Sequence, residues 1–169
     1  MQHVANIKAV SETKHPATPA STFNPRGQLA LGKKAADALI EVVKKAGLAR
    51  NLGGKEYLFY EAWLTLARFF QLTPKVEWTR PFRLEEGGKI VGWEARAVVV
   101  DAEGREIAAA EAFCGRDEKN WEKRPHYALR SMAQTRACAK ALRSVLSWIV
   151  VLAGFQPTPA EEINGDELS

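Results

Sequence analysis

The segment of residues 130 to 154, RSMAQTRACAKALRSVLSWIVVLAG, constrains the fold more than any other part of the chain. It contains no proline, and its only glycine is the last residue. Such an uninterrupted run predicts one long helix. With successive residues about 100° apart, Arg136, Lys140 and Arg143 lie on one stripe of this helix. The opposite side is mainly apolar. The pattern predicts a helix that packs by one face and presents Arg136, Lys140 and Arg143 as a cationic ridge.

The residues around this ridge have a distinctive composition. Ala133, Ala137 and Ala141 flank it, and their small size would let a neighbour approach closely. No acidic residue occurs between Lys123 and Arg143. Solvated helices usually mix charges of both signs through i,i+4 pairs, so an unbalanced ridge suggests an anionic partner. An ordinary solvated helix face is the alternative interpretation.

Two turn signals upstream of the helix divide three candidate strands. The sequence EEGG separates residues 75–84 from residues 90–100, and DAEG separates the latter from residues 105–114. We predict a three-stranded antiparallel meander from these two hairpins. In the middle strand, apolar residues and the polar pair Glu94 and Arg96 alternate, which indicates a half-solvated sheet. Pro81 indicates that the first strand lies at an edge or contains a bulge.

Two helices are expected before the sheet, over residues 31–46 and 56–71, where apolar residues recur at helical spacing. The fold class is therefore α+β, with two helices, a meander and one long basic helix. Residues 1–28 are predicted to be a flexible N-terminal arm. Residues 29–155 form the predicted domain, and residues 156–169 form an acidic, mostly unstructured tail.

Composition restricts the class of protein. The chain is 46% hydrophobic and 26% charged, which is typical of a soluble globular domain. Its longest C-terminal apolar run, from Trp148 to Phe155, is too short to cross a bilayer. No secretory signal is visible, and Cys114 and Cys138 form no disulfide framework. The expected location is the cytoplasm, with no membrane association.

Catalytic motifs are not found in the sequence. Cys114 and His126 could form a nucleophile pair, although a buried cysteine is the simpler interpretation. Glu94 and Glu111 could face each other and bind a divalent ion, although pairing with Arg96 or Arg105 explains them more simply. We therefore predict no catalytic residue, no metal ligand and no cofactor.

Cations are concentrated around the long helix. The block from Lys119 to Arg143 has seven bases against one acid, Glu122, and it includes Trp121, His126 and Tyr127. Bases that bind phosphates beside rings that stack on bases are typical of single-stranded nucleic-acid binding. Trp121 could equally be a hydrophobic plug. The sheet adds a second cationic set: Arg80, Arg83, Lys89 and Arg96.

The segments VGWEARAVVVDAEGREIAAAEAFC and SMAQTRACAKALRSVL together resemble the single-strand annealing protein superfamily, which includes the Rad-fifty-two, Erf and DdrA recombination proteins. The resemblance covers about residues 30–155. It implies that subunits pack side by side in a ring, with single-stranded DNA in a basic groove at the rim and no nucleotide hydrolysis. Lys140 and Arg143 match the family's basic helix. Ala139 stands where the family often has a second base beside the first.

We therefore expect a homo-oligomeric protein that binds and anneals single-stranded DNA in recombination or repair. The predicted DNA-binding residues are Arg80, Arg83, Arg96, Lys123, Arg124, Arg130, Arg136, Lys140 and Arg143. One alternative is a small metal-dependent nuclease that uses Glu94 and Glu111. Another is a scaffold module whose ridge binds an acidic protein, for example the acidic tail of a second copy. A further protein partner for the tail is also expected.

Overall fold

A computed structural model describes residues 24–163, so most of the predicted arm and residues 164–169 of the predicted tail lie outside the described residues. The elements in order are α1 (Pro25–Ala46), β1 (Ala49–Leu52), β2 (Lys55–Leu58), α2 (Tyr60–Phe69), β3 (Thr73–Arg83), β4 (Ile90–Val100), β5 (Glu106–Gly115), α3 (His126–Leu152) and a final 3₁₀ turn (Ala160–Glu162). The α+β class and the long C-terminal helix are confirmed.

The predicted meander is confirmed, since the sheet has the antiparallel order β3-β4-β5. In β4, Ala95 and Ala97 are fully buried, whereas Glu94 and Arg96 lie on the partly exposed face. This alternation places one face of the sheet against the core. Pro81 lies in β3, which is an edge strand, where a missing N–H is tolerated.

The prediction of one helix over residues 56–71 is wrong in its first part. Residues 49–58 form the β1–β2 hairpin, and α2 begins only at Tyr60. The hairpin turns through Gly53 and Gly54, whose φ angles are 58° and 77°. The Asn51 side chain accepts a hydrogen bond from the Gly54 N–H at 3.2 Å. Two glycines in the left-handed region favour a turn, which shortens the helix.

The first helix begins at Pro25 rather than at Leu31, so its first residues fall inside the predicted arm. Asn24 is the N-cap, and its side chain accepts a hydrogen bond from the Gly27 N–H at 3.1 Å. Pro25 follows at the first helical position, where its fixed φ suits the helix. The helix ends at Ala46 and is followed by the cap residue Gly47, whose φ is 64°.

Helix α3 begins at His126 and packs on the sheet and on both other helices. Its N-terminal half packs on β4 and β5 through Leu129, Ala133 and Ala137. Its C-terminal half packs on α1 and α2 through residues such as Leu142 and Ile149. The three alanines expected beside an exposed ridge, Ala133, Ala137 and Ala141, are instead fully buried. They allow close packing inside the subunit.

Residues 156–163, which we call the C-terminal strap, are ordered against the domain. This corrects the prediction that the tail is mostly unstructured from residue 156. The Gln156 N–H donates to the Glu56 carbonyl at 2.9 Å, and Ala160 is buried. The Glu161 carboxylate accepts from the Tyr60 N–H at 2.8 Å, which caps α2 where the N-cap Phe59 provides no side-chain acceptor. An acidic composition therefore concealed specific anchoring contacts.

Candidate nucleic-acid interface

The structure distributes the nine predicted DNA-binding cations over three regions. Arg136, Lys140 and Arg143 lie along the middle of α3, and Arg80, Arg83 and Arg96 belong to β3 and β4. Lys123, Arg124 and Arg130 lie at the N-terminal end of α3 or just before it. The three regions differ in how many of their cations already have a partner.

Arg136 is buried, so the prediction of an exposed ridge is wrong at this residue. Its Nη1 and Nη2 donate to Glu118 at 2.7 and 2.6 Å, and Nη1 also donates to the Phe113 carbonyl at 2.9 Å. Its Nε donates to the Glu161 carbonyl at 2.8 Å. Burial raises the pKa of Glu118, but the hydrogen bonds from Arg136 and the Gly115 N–H outweigh burial and hold that pKa below its ordinary value. Arg136 thus joins β5, the loop before α3 and the strap.

Arg143 is partly exposed and has a carboxylate partner in the strap. Its Nη1 donates to Glu162 at 3.0 Å. Burial raises the pKa of Glu162, and the nearby positive charges of Arg143 and Lys140 only partly oppose this effect. Lys140 itself is exposed and lies beside Ala112, Phe113 and Glu162. Of the predicted ridge, Lys140 alone remains largely available to an external anion.

The sheet cations Arg80 and Arg96 are ion-paired across strands. Arg80 contacts Glu94 at 2.9 Å, and Arg96 contacts Glu77 at 2.5 Å and Glu111 at 3.7 Å. The hydrogen bond that Arg96 donates to Glu77 raises the pKa of Arg96. Glu94 and Glu111, the proposed nuclease carboxylates, therefore each face an arginine. Among residues 24–163, no three His, Cys, Asp or Glu residues form a group that could hold a metal ion.

Arg83 closes the turn between β3 and β4. Its Nη1 donates to the Gly88 carbonyl. Gly87 in the same turn has a φ of 71°, which a glycine adopts without steric cost. Arg83 is exposed and thus combines a structural contact with access to solvent.

The N-terminal end of α3 and the loop before it carry exposed cations and aromatic rings. Lys123, Arg124 and Arg130 are exposed, and none of them forms an ion pair within residues 24–163. Tyr127 is 77% exposed, and the Arg130 guanidinium lies 5.9 Å from the centre of the Trp93 ring. We call these five residues the basic-aromatic patch.

Neighbouring contacts hold the patch in place. The loop before α3 is turned by hydrogen bonds from the Trp121 N–H to the Glu118 carbonyl at 2.7 Å and from the Arg124 N–H to the Trp121 carbonyl at 3.2 Å. Trp93 Nε1 donates to His126 Nδ1 at 3.4 Å. The first turn of α3 contains no acid, and its N-cap Pro125 provides no side-chain acceptor. The positive end of the helix dipole therefore adds to the positive potential of the patch.

The candidate nucleophile pair does not form a recognisable site. His126 contacts Trp93 and Arg116 through its two ring nitrogens. Cys114 is fully buried, and this burial raises the pKa of its thiol to about 12. A thiol with such a pKa is protonated at neutral pH and is a poor nucleophile.

The sequence did not indicate the roles of Trp93 and Arg116 near this patch. Trp93 belongs to the inward-facing residues of β4, so its pattern predicted a core position. Arg116 was one more base in a polar loop, and its Nη1 donates to the Glu122 carbonyl at 2.7 Å. Only the packing of α3 against the end of β4 brings these residues to His126.

No helix within residues 24–163 has the length and apolar character needed to cross a membrane. The chain gives no significant match to a protein-family model, to a curated protein or to a solved structure. The resemblance to the annealing superfamily therefore remains a prediction.

Proposed function

We propose that this protein binds single-stranded DNA and promotes the annealing of complementary strands in recombination or repair, without nucleotide hydrolysis. The observation that supports this function best is the basic-aromatic patch. Its three cations are exposed and have no carboxylate partner within residues 24–163, Tyr127 is exposed, and the Arg130 guanidinium lies over the Trp93 ring. Such cations can neutralise phosphates and release the counterions condensed on the strand, and the rings offer stacking faces to unpaired bases.

The other predicted cations have secondary roles in this proposal. Lys140 and Arg83 are exposed and can extend the path of the strand. Arg80, Arg96 and Arg143 are partly neutralised by Glu94, Glu77 and Glu162, so each would have to exchange a carboxylate for a phosphate. Arg136 is assigned a structural role because its donors are already used inside the protein.

The proposed assembly is a ring in which sheets join edge to edge. β3 and β5 are the two edges of the sheet among the described residues, and each pairs with β4 only. Unpaired edges readily add a strand, and joining β3 of one subunit to β5 of the next would satisfy both. The exposed Ile107 of β5 would lie at this junction.

Fluorescence anisotropy of a labelled single-stranded oligonucleotide tests the proposed binding, with the duplex as a comparison. We expect the single strand to bind more tightly and its affinity to fall steeply as salt is added. The triple variant Lys123→Ala, Arg124→Ala and Arg130→Ala should lose most of this binding. A matched control replaces the exposed Lys34, Lys44 and Lys45 of α1 with alanine, which removes the same charge far along the sequence from the patch.

Equal losses of affinity in the two triple variants would show that net charge alone drives binding and would contradict the assignment of the patch as the binding site. Absence of binding by the wild-type protein at low salt would overturn the proposed function. Annealing is measured separately, as the rate at which complementary labelled strands pair with and without protein. Light scattering gives the oligomer mass, and Ile107→Lys should lower it because a charge on an edge strand opposes strand addition.

A further inference from the structure

A cleft next to the basic-aromatic patch has the composition of a nucleobase site. It lies between the loop before α3, the α3 helix itself, the β1–α2 region and the strap. Side chains that bear on its chemistry are Arg50, Phe59, Asn120, Trp121, Met132 and Glu161. Two aromatic rings and a thioether thus share one cleft with these three polar groups, and Arg136, which is hydrogen-bonded inside the protein, also lines it.

Two of the polar side chains at this cleft are available to a ligand. Arg50 and Asn120 are exposed, and neither side chain makes a hydrogen bond or an ion pair within residues 24–163. A guanidinium binds phosphate, and a carboxamide both donates to and accepts from the edge of a base. The third, Glu161, already accepts from the Tyr60 N–H through Oε1, and burial raises the pKa of its carboxyl.

Trp121 connects the cleft to the basic-aromatic patch. Its side chain is half-buried, packs against the core beneath β4 and β5, and lines the cleft. Its carbonyl accepts from the Arg124 N–H at 3.2 Å, so Lys123 and Arg124 belong to the same turn as Trp121. A strand bound at the two cations would therefore run close to the cleft.

We propose that this cleft takes up one base of the bound strand, with Arg50 on a phosphate, Asn120 on the base edge and Trp121 on the base face. This inference rests on the proposed single-strand binding and names the site at which a base is held. An apolar side chain of a protein partner would use only the apolar walls and would leave Arg50 and Asn120 unpaired. A nucleotide satisfies both groups.

The test compares an oligonucleotide with a baseless deoxyribose–phosphate chain of the same length, which keeps the phosphates. Wild-type protein should bind the intact strand at least about fivefold more tightly, since stacking of one base contributes at least that factor. Asn120→Ala and Arg50→Ala should bind the intact strand more weakly. Asn120→Ala should also lower the ratio between the two ligands, because it loses a contact to the base.

Two further variants make the test independent of folding defects. Arg68→Ala removes an exposed arginine from the end of α2 and should behave like wild type. Trp121→Phe keeps a ring and should keep most of the affinity ratio between the intact and the baseless chain. Binding of the strand should quench less tryptophan fluorescence in this variant, because the contribution of Trp121 is missing. Both variants are checked by circular dichroism and denaturant unfolding.

The outcomes separate this inference from the proposed function. If the wild-type protein binds DNA but the intact and baseless chains bind equally, the cleft holds no base and this inference is overturned. The same follows if Asn120→Ala and Arg50→Ala are indistinguishable from Arg68→Ala. If the wild-type protein shows no salt-dependent binding, the proposed function fails and this inference fails with it.

Discussion

The N-terminal end and the middle of α3 both carry positive charges, but the two regions differ in whether these charges have carboxylate partners. Near the N-terminal end, Lys123, Arg124 and Arg130 have no carboxylate partner among the described residues. In the middle, Arg136 pairs with Glu118, which is 18 positions away, and Arg143 pairs with Glu162, which is 19 positions away. Basic residues with no acidic residue nearby in the sequence can therefore still form ion pairs in the folded protein.

This difference shows how a fold converts sequence charge into surface potential. A cation with a buried carboxylate beside it contributes little to the field outside the protein, whereas an exposed cation without a partner contributes fully. The carboxylates that neutralise the middle of α3 come from the loop before it and from the C-terminal strap. The patch is consequently better placed to attract an anionic polymer than the predicted ridge.

The largest expected effect follows from removing the buried Arg136. Arg136→Ala leaves the Glu118 charge buried without its partner, so the free energy of unfolding should fall by about 3–5 kcal/mol. Urea denaturation measures this change. Replacing both residues with apolar ones, Arg136→Met with Glu118→Leu, should recover part of the loss. A fall below about 1 kcal/mol in the single variant would mean that water readily replaces the arginine.

Two double variants compare the DNA binding of the patch directly with that of the middle of α3. Lys123→Ala with Arg124→Ala should weaken single-strand binding about tenfold, a change of about 1.4 kcal/mol. It should also lower the salt slope by about 1.4, or 0.7 for each phosphate. Lys140→Ala with Arg143→Ala should weaken binding less, because Arg143 is already paired with Glu162. If the Lys140→Ala, Arg143→Ala variant instead binds more weakly, the middle of α3 is the main contact with DNA.

The contributions of Glu162 and Glu118 to the stability of the fold should change with pH in opposite directions. The pKa of Glu162 is raised, so its contribution to stability is present below its ordinary value near 4.5 and is lost as pH rises through the raised pKa. The pKa of Glu118 is lowered, so its contribution is present above the ordinary value and is lost as pH falls through the lowered pKa.

Urea unfolding at several pH values separates the two carboxyl groups. As pH rises above 4.5, wild type should lose stability relative to Glu162→Gln. As pH falls below that value, the stability advantage of wild type over Glu118→Gln should shrink. Parallel pH profiles for the two variants would contradict the opposite directions of these pKa shifts.

The smallest expected effect concerns Arg130 at the patch. Arg130→Ala removes a cation above the Trp93 ring, a contact that contributes about 0.5–1 kcal/mol at exposed sites. Thermal or urea unfolding should therefore show little change, while single-strand affinity falls. Arg130→Lys keeps the charge and should retain most of the affinity. A stability loss as large as that of Arg136→Ala would mean that Arg130 is also a structural residue.

Local patterns predicted most of the sheet and the last helix. Alternation in residues 90–100 and two glycine-containing turns located β4 and the meander, because side-chain period and turn chemistry act over a few residues. The same local reasoning missed the β1–β2 hairpin, although Gly53 and Gly54 provided a turn signal. A helical spacing of apolar residues downstream outweighed that signal in the prediction.

The sequence by itself thus determined the α+β class, the strand order and the position of the long helix. Only the tertiary structure decided that Arg136 is buried, that the strap caps α2, and that Trp93 joins Arg130 at the end of α3. The physical reason is distance along the chain. Backbone conformation depends mainly on near neighbours, whereas the Tyr60 N–H finds its acceptor on Glu161, 101 positions away, which no local pattern encodes.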